Sequence, residues 1–274
     1  MYSRVYVEIT NICNMSCSFC HGHSRAKKRM SESEFVKVLE ELEGKTKHIY
    51  YHLMGEPLTH PELPKFVRLA GERGFRSLIT TNGTLLDKVG DKLLESGIYK
   101  INISLHSFEE QDKEYFKRYM QDVVDFVDKA KDYKTIVVLR LWNGGGKNEE
   151  NDGTLNFLRD HIDGEWTETE RGIKVRNRLH LEWGERFIWP DLNEEEGSPD
   201  LFCYGMRDHF GILVDGSVVP CCLDSEGIIT LGNLFEEPLV NILNSTRAKA
   251  LKHGFGVRQA TEELCRKCAY ARRF

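Results

Sequence analysis

Three thiols within eight residues carry the most chemistry in this chain: Cys13, Cys17 and Cys20, in Thr10-Asn-Ile-Cys-Asn-Met-Ser-Cys-Ser-Phe-Cys-His21. The Cys-x3-Cys-x2-Cys spacing brings three thiolates from one short loop. A four-iron cubane needs four donors, so such a loop leaves one iron open to a small exchangeable ligand. A zinc site is the competing reading, with Cys17, Cys20 and His21 or His23 as tetrahedral donors. The first residues do not read as a secretory signal, and a reducing, cytoplasmic setting is expected, which argues against a disulfide framework.

The other five cysteines all lie after residue 202, with none between Cys20 and Cys203. Two separate sulfur sites are therefore expected. The later set comprises Cys203, then Cys221-Cys222 following Gly216 by a five-residue step, then Cys265-Arg-Lys-Cys268. Two pairs of thiols brought together across a hairpin and a helix would close a four-coordinate site with no vacancy, as a cluster or as a zinc ribbon.

The elements that must position these groups follow from periodicity. Residues 4–9 are short and β-branched and read as a strand, so the first thiol loop sits at a strand's C-terminal end. Ser31-Glu-Ser-Glu then opens a helix with Phe35, Val38, Leu39 and Leu42 at helical spacing, closed at Gly44. The alternation repeats with strands at 48–54, 77–81, 100–105, 135–142 and 179–183. Helices fall between them at 61–73, 85–96, 111–131 and 155–162. Short connections and strict alternation argue for a parallel sheet, closed or open. Gly144-Gly145-Gly146 lacks the context of a dinucleotide fingerprint and reads as a flexible loop. Residues 166–200 give no clear pattern, and their latter part reads as a linker. In the tail, residues 210–219 form a hairpin turned at Asp215-Gly216, and 238–253 an amphipathic helix.

Length and composition bound the possibilities. The 274 residues suffice for one large domain with an appendage. Lys and Arg total 38 against 43 Asp and Glu, a net charge of −5, so no general basic field invites nucleic acid. RNA modification is weakened accordingly. No run approaches the roughly 18 apolar residues of a membrane span.

The thiol motif, with the aromatic Phe19 before its last cysteine, resembles the hallmark of the radical S-adenosylmethionine (SAM) superfamily. The resemblance implies an α/β fold, a partial (β/α)6 barrel over residues 1–200 with a linker at about 185–200. In that family the open iron chelates SAM and one electron yields a 5′-deoxyadenosyl radical. Met54-Gly55-Glu56-Pro57 is similar to the family's Gly-Gly-Glu-Pro motif, with Met54 in place of the first glycine. Thr81 and Asn82, Ser104, and Arg140 stand where relatives contact the cofactor at later strand ends. Residues 201–274 resemble the auxiliary-cluster domains of SPASM and twitch type, matched by Gly216 and Cys221. Five remaining cysteines allow one auxiliary 4Fe-4S cluster, the shorter twitch form, with Cys203, Cys221, Cys265 and Cys268 as ligands and Cys222 left over.

The layout is similar to radical dehydrogenases of aminocyclitol pathways. It implies removal of a hydrogen atom from a small molecule such as a sugar or aminocyclitol, by oxidation or epimerisation, with the auxiliary cluster accepting an electron. A flavodoxin or ferredoxin is the expected reductant. His106 and Glu182 are candidate bases at strand ends, Trp183 a candidate substrate wall, and Cys222 either a buried small hydrophobe or a hydrogen-atom donor. Modification of a ribosomally made peptide is the alternative, which the lack of an additional leader-binding domain weakens slightly. A non-catalytic electron carrier would leave Gly55-Glu56-Pro57 unexplained.

Overall fold

The computed structural model describes residues 1–108, 113–144 and 149–273. Gly145, Gly146 and the expected helix start at 111 lie outside these residues. The strands are β1 (Val5–Val7), β2 (His48–Tyr50), β3 (Arg76–Thr81), β4 (Lys100–Ser104), β5 (Ile136–Gly144), β6 (Thr167–Thr169), β7 (Gly172–Arg176), β8 (Leu179–Glu185), β9 (Gly211–Ile212), β10 (Ser217–Val219) and β11 (Gly232–Asn233). The helices are α1 (Glu32–Leu42), α2 (Leu63–Glu72), α3 (Leu86–Glu95), α4 (Lys113–Lys129), α5 (Glu149–His161), α6 (Leu239–Asn244), α7 (Thr246–Gly256) and α8 (Glu263–Arg266). The fold class is mixed α/β, with parallel strands alternating with helices as in a partial (β/α)6 barrel. The chain packs as two compact units: Met1–Glu56, Glu72–Phe75 and Phe187–Phe274 form the first, Pro57–Gly71 and Arg76–Arg186 the second.

In the first unit β1 pairs in parallel with β2 on one side and with β9 on the other, and β9, β10 and β11 continue as an antiparallel meander. Helix α1 starts where the sequence says it should. Ser31 accepts from the Glu34 amide while Glu34 returns a bond to the Ser31 amide, a capping box worth roughly 1 kcal/mol. Its buried face, Phe35, Val38, Leu39 and Leu42, is fully enclosed, each side chain contributing about 1.5–3 kcal/mol of burial. The Phe35 ring meets Tyr51 edge-on at 5.6 Å. The hairpin turns at Gly216, whose φ of +91° suits glycine.

In the second unit β3, β4, β5 and β8 run parallel, joined by α3, α4 and α5, and Ser104, Arg140 and Glu182 fall opposite one another across β4, β5 and β8. Two antiparallel strands, β7 and β6, extend this sheet beyond β8, in the region the sequence left unassigned. A second difference lies in the tail. The helix expected over 238–253 is two helices, because Ser245 leaves helical geometry and caps α7 through the Ala248 amide.

Candidate cofactor and cluster sites

The first thiol loop leaves β1 through a neck built by Thr10 and Asn11, both buried. Asn11 donates to the Ala26 carbonyl at 2.8 Å and accepts from the Lys28 amide at 2.8 Å, while the Thr10 hydroxyl donates to the Lys28 carbonyl at 3.2 Å. His23 bonds the Asn11 carbonyl through Nε2 at 2.8 Å. These bonds satisfy the neck's polar groups and push the residues between them outward. Cys13 and Cys20 are exposed, Cys17 and Phe19 half-buried. A turn closes Cys17 to Cys20, with the Cys20 amide donating to the Cys17 carbonyl at 3.1 Å. Although Cys13 is exposed as a residue, partial desolvation of its thiol raises its pKa, and the nearby Glu56 and Cys20 act in the same sense.

Gly55 is pressed against this neck. A Cβ there would lie 2.5 Å from the Thr10 carbonyl oxygen and 2.8 Å from the Asn11 carbonyl carbon, and its φ is +77°. Only glycine meets both demands. The Glu56 amide then donates to the Ile12 carbonyl at 2.9 Å, so the Gly55-Glu56 loop and the thiol loop share a backbone contact. Met54 is buried and its amide donates to Glu8 at 3.2 Å. Pro57 begins a short buried 3-10 turn in the second unit.

In the second unit, Thr81 and Asn82 shape the turn after β3: the Gly83 amide donates to Thr81 at 3.0 Å and the Thr84 amide to Asn82 at 3.0 Å. The Tyr119 hydroxyl secures the turn through the Asn82 carbonyl at 2.9 Å. Arg140 faces Glu182 across β5 and β8 with Nε 3.6 Å from the carboxylate, and its guanidinium lies 4.6 Å from the Trp142 ring centre. Both members of the pair are partly exposed. Trp183, the candidate wall, is 41% exposed. His106 is buried, its Nδ1 3.2 Å from the Arg140 carbonyl and 3.3 Å from the Trp142 amide. Burial holds its pKa down, to about 4. The ring is therefore neutral near pH 7 and a weak base.

The second thiol set closes around one cavity. Cys203, Cys221, Cys265 and Cys268 line it together, with Leu201, Ile229, Phe255 and Leu264 among its apolar walls. Burial raises all four thiols, Cys203 to about 11 and Cys221 and Cys265 well above the ordinary value, and neighbouring thiols add to the rise for Cys203, Cys221 and Cys265. The Gly205 amide donates to the Cys203 sulfur at 3.3 Å, a contact that tunes iron–sulfur centres. Cys222 does not line the cavity, though it is near enough to add to the rise of Cys203 and Cys221; it packs, partly buried, with Tyr50 against Tyr6, Leu53, Leu213 and Val219, its thiol taking a hydrogen bond from the Tyr6 hydroxyl. Among the described residues no group of three or more His, Cys, Asp or Glu side chains is placed to hold a single metal ion. Four thiols in an apolar chamber fit a sulfur-rich cluster by donor chemistry.

A three-thiol loop beside the Gly55-Glu56 loop, together with an apolar chamber lined by four thiols, fits the class of iron–sulfur proteins that use SAM. The chain belongs to the radical SAM superfamily: the model of that family matches residues 7–158, and that of the SPASM iron–sulfur cluster-binding domain matches residues 203–269. It accordingly binds SAM and a 4Fe-4S cluster, with an auxiliary iron–sulfur cluster in the SPASM domain. Members of that superfamily are enzymes that work by radical chemistry.

GTP 3′,8-cyclase of Chlorobaculum tepidum is 30% identical over 57% of this chain and 50% of its own length. The tungsten-containing aldehyde ferredoxin oxidoreductase cofactor-modifying protein of Pyrococcus furiosus is 36% identical over 37% of this chain and 30% of its own. The chain thus spans half or less of these curated relatives. Among solved structures, BtrN in complex with AdoMet and 2-DOIA superimposes with a TM-score of 0.62 at 20% identity, covering 98% of this chain and 93% of BtrN. Streptococcus suis SuiB bound to precursor peptide SuiA gives 0.63 at 15% identity, covering 98% of this chain and 70% of SuiB. No helix among the described residues is long and apolar enough to cross a membrane.

The sequence reading missed the groups that build these sites. Glu8 and Arg25 form a bidentate ion pair at 2.6 and 2.8 Å, with Glu8 fully buried. A carboxylate inside Val-Tyr-Val-Glu-Ile was the available signal, since an acid at a core-facing strand position demands a partner.

Proposed function

We propose that the chain is a radical SAM oxidoreductase acting on a small polar molecule of the sugar or aminocyclitol kind. Cys13, Cys17 and Cys20 hold the cluster that meets SAM, with Phe19, Gly55, Glu56, Pro57, Thr81, Asn82, Ser104 and Arg140 around the cofactor. Cys203, Cys221, Cys265 and Cys268 hold one auxiliary 4Fe-4S cluster in a module spanning about 201–274. When bound, these groups supply the redox chemistry, a 5′-deoxyadenosyl radical that takes a carbon-bound hydrogen atom and an acceptor for the electron left behind. The observation that carries the reading is the four-thiol chamber. A cluster with every donor drawn from protein has no position for substrate and suits electron transfer.

The side chains must add a base for the hydroxyl proton. Glu182 serves, because its carboxylate is partly exposed and oriented by Arg140, although it lies midway along β8, which runs to Glu185, and not at the strand end expected from sequence. His106, buried and bonded to the β5 backbone, better supports that strand. Cys222, partly buried against apolar neighbours and hydrogen-bonded by the Tyr6 hydroxyl, supports oxidation over epimerisation, which needs a thiol presented to substrate. A flavodoxin or ferredoxin in the cytoplasm supplies the first electron.

Peptide modification is the second reading, favoured by the likeness to SuiB with its precursor peptide. The test is anaerobic turnover with SAM and dithionite on a panel of C-deuterated aminocyclitols and sugars, with GTP and short peptides as competitors. A carbonyl product equimolar with 5′-deoxyadenosine, carrying deuterium into it, supports oxidation. Solvent hydrogen entering an otherwise unchanged substrate, or turnover of GTP or peptide alone, refutes it.

A further inference from the structure

Glu8 is fully buried directly after β1, between Val7 and Ile9, which are equally buried. Its two oxygens accept four hydrogen bonds from three separate stretches of the chain. Arg25, five residues past Cys20, donates through Nη1 at 2.8 Å and Nη2 at 2.6 Å. The Met54 amide, at the head of the Gly55-Glu56 loop, donates at 3.2 Å, and the Val214 amide, in the turn between β9 and β10, donates at 3.0 Å. Arg25 also reaches the auxiliary module through its Nε, which donates to the Ser225 carbonyl at 2.7 Å. Next to it, Ser24 donates from amide and hydroxyl to Glu226 at 2.6 and 2.8 Å.

An apolar side chain at position 8 would suit this core at least as well, because buried ion pairs seldom surpass hydrophobic packing in stability. What the pair supplies is register. A bidentate fork and two directed amide bonds admit one arrangement of the thiol loop, the Met54-Gly55-Glu56 loop and the segment 214–225 that carries Cys221. Ser24–Glu226 alone would tether the loop to the module without reaching Met54.

We propose that Glu8 and Arg25 are positioning residues through which the auxiliary module sets the geometry of the SAM loop, so that loss of the auxiliary cluster weakens SAM binding. The inference rests on the assignment of residues 54–56 to SAM and reaches beyond it, to a coupling between the two cluster regions. The sequence of events is mechanical. Without the auxiliary cluster the 214–225 segment loses its anchor at Cys221, and Arg25 and Glu8 pass that freedom to Met54.

The experiment uses the anaerobically reconstituted full chain. SAM dissociation constants and the SAM-induced change in the reduced cluster's electron paramagnetic resonance spectrum are measured for wild type, Glu8→Gln, Arg25→Lys, Cys265→Ala/Cys268→Ala, and Glu8→Gln combined with the double cysteine variant. Glu8→Gln and cluster loss should each weaken SAM binding by about tenfold, in the range of other coupled sites, and together by no more than either alone. Arg25→Lys, which keeps the charge and loses the fork, covers the case in which Glu8→Gln does not retain iron. Affinity within twofold of wild type in both single variants, whatever their thermal stability, overturns the proposal, as does a combined loss equal to the product. Gly55→Ala separates the two assignments. If it abolishes SAM binding while Glu8→Gln does not, the positioning pair alone falls; if neither matters, the loop assignment falls with it.

Discussion

Gly55 offers a measurement in which the structure sets both the effect and its control. Replacing it by alanine forces an L side chain to φ +77° and drives a Cβ to 2.5 Å from the Thr10 carbonyl oxygen. Gly44 has nearly the same φ, +72°, with nothing within 4 Å of its would-be Cβ. Both substitutions carry the left-handed strain of about 1–2 kcal/mol. Gly55→Ala must in addition push the Thr10-Asn11 neck away, straining the Glu56–Ile12 backbone bond at a further cost of about 1 kcal/mol. Totals near 1.5 and 2.5 kcal/mol correspond to midpoint shifts of about 3 °C for Gly44→Ala and about 5 °C for Gly55→Ala at a fixed scan rate. The larger distinction lies in function. Gly44→Ala should bind SAM as wild type does, whereas Gly55→Ala should bind at least about tenfold more weakly, as expected when a supporting contact of a ligand site is displaced. Differential scanning and equilibrium dialysis on anaerobically reconstituted protein read both effects. Equal midpoints and equal affinities for the two variants would refute the close approach of the Gly55 loop to the thiol neck as the reason for glycine.

Other consequences follow from the same geometry. Glu182→Gln should cut substrate turnover by about 10²-fold, the usual worth of a general base, while uncoupled SAM cleavage is unchanged; equal loss of both would assign Glu182 to cofactor binding instead. Cys265→Ala/Cys268→Ala should lose about four irons and all substrate oxidation, measured by iron counting and product analysis, whereas Cys222→Ala should keep both. His106 has a folded pKa of about 4, below its ordinary 6.5, so the unfolded chain takes up the proton first as pH falls. Its stability contribution is whole above pH 6.5 and is lost towards pH 4, amounting to about 3 kcal/mol at most, and His106→Asn should flatten that part of a denaturant-midpoint profile. His209, held down to about 4 by burial and by Arg4, should leave a comparable slope in the variant.

The parallel elements were legible because each carries a clean period and a stop signal: β-branched runs for the strands, Ser31 and Gly44 for α1. Strands β6 and β7 were not. Thr167, Glu168 and Thr169 are all exposed, so β6 has no buried face to leave an alternating apolar mark. The break at Ser245 hid for a different reason. Leu239 and Ile242 would share one face of a continuous helix and Ala248, Leu251 and Phe255 the opposite one, a change of phase that only a window shorter than 238–253 reveals. Within the candidate sites, residue type announced the thiols. The Arg140–Glu182 pair needed the register of β5 against β8, which is a property of the sheet and not of either strand.

Cys221 and Cys222 carry the same lesson into chemistry. Sequence offers five thiols for a four-donor site and no local rule for rejecting one. In the structure the two neighbours diverge: Cys221 lines the chamber shared with Cys203, Cys265 and Cys268, while Cys222 packs on Tyr6 and Leu53. The divergence accompanies the bend at Cys221 and the turn at Cys222 that follow β10. One adjacent pair therefore supplies a ligand to the cavity and a plug to the core of β1. Because Tyr6 lies on β1 and Glu8 directly follows that strand, the plug and the Glu8 clamp act on the same few residues. A cluster anchored at Cys221 is thereby tied to β1 twice, once by packing at Cys222 and once by hydrogen bonding at Val214. Removing the apolar tie leaves the directed one intact, which is why Cys222→Ala should retain iron and turnover while substitutions at Glu8 should be felt at the SAM loop.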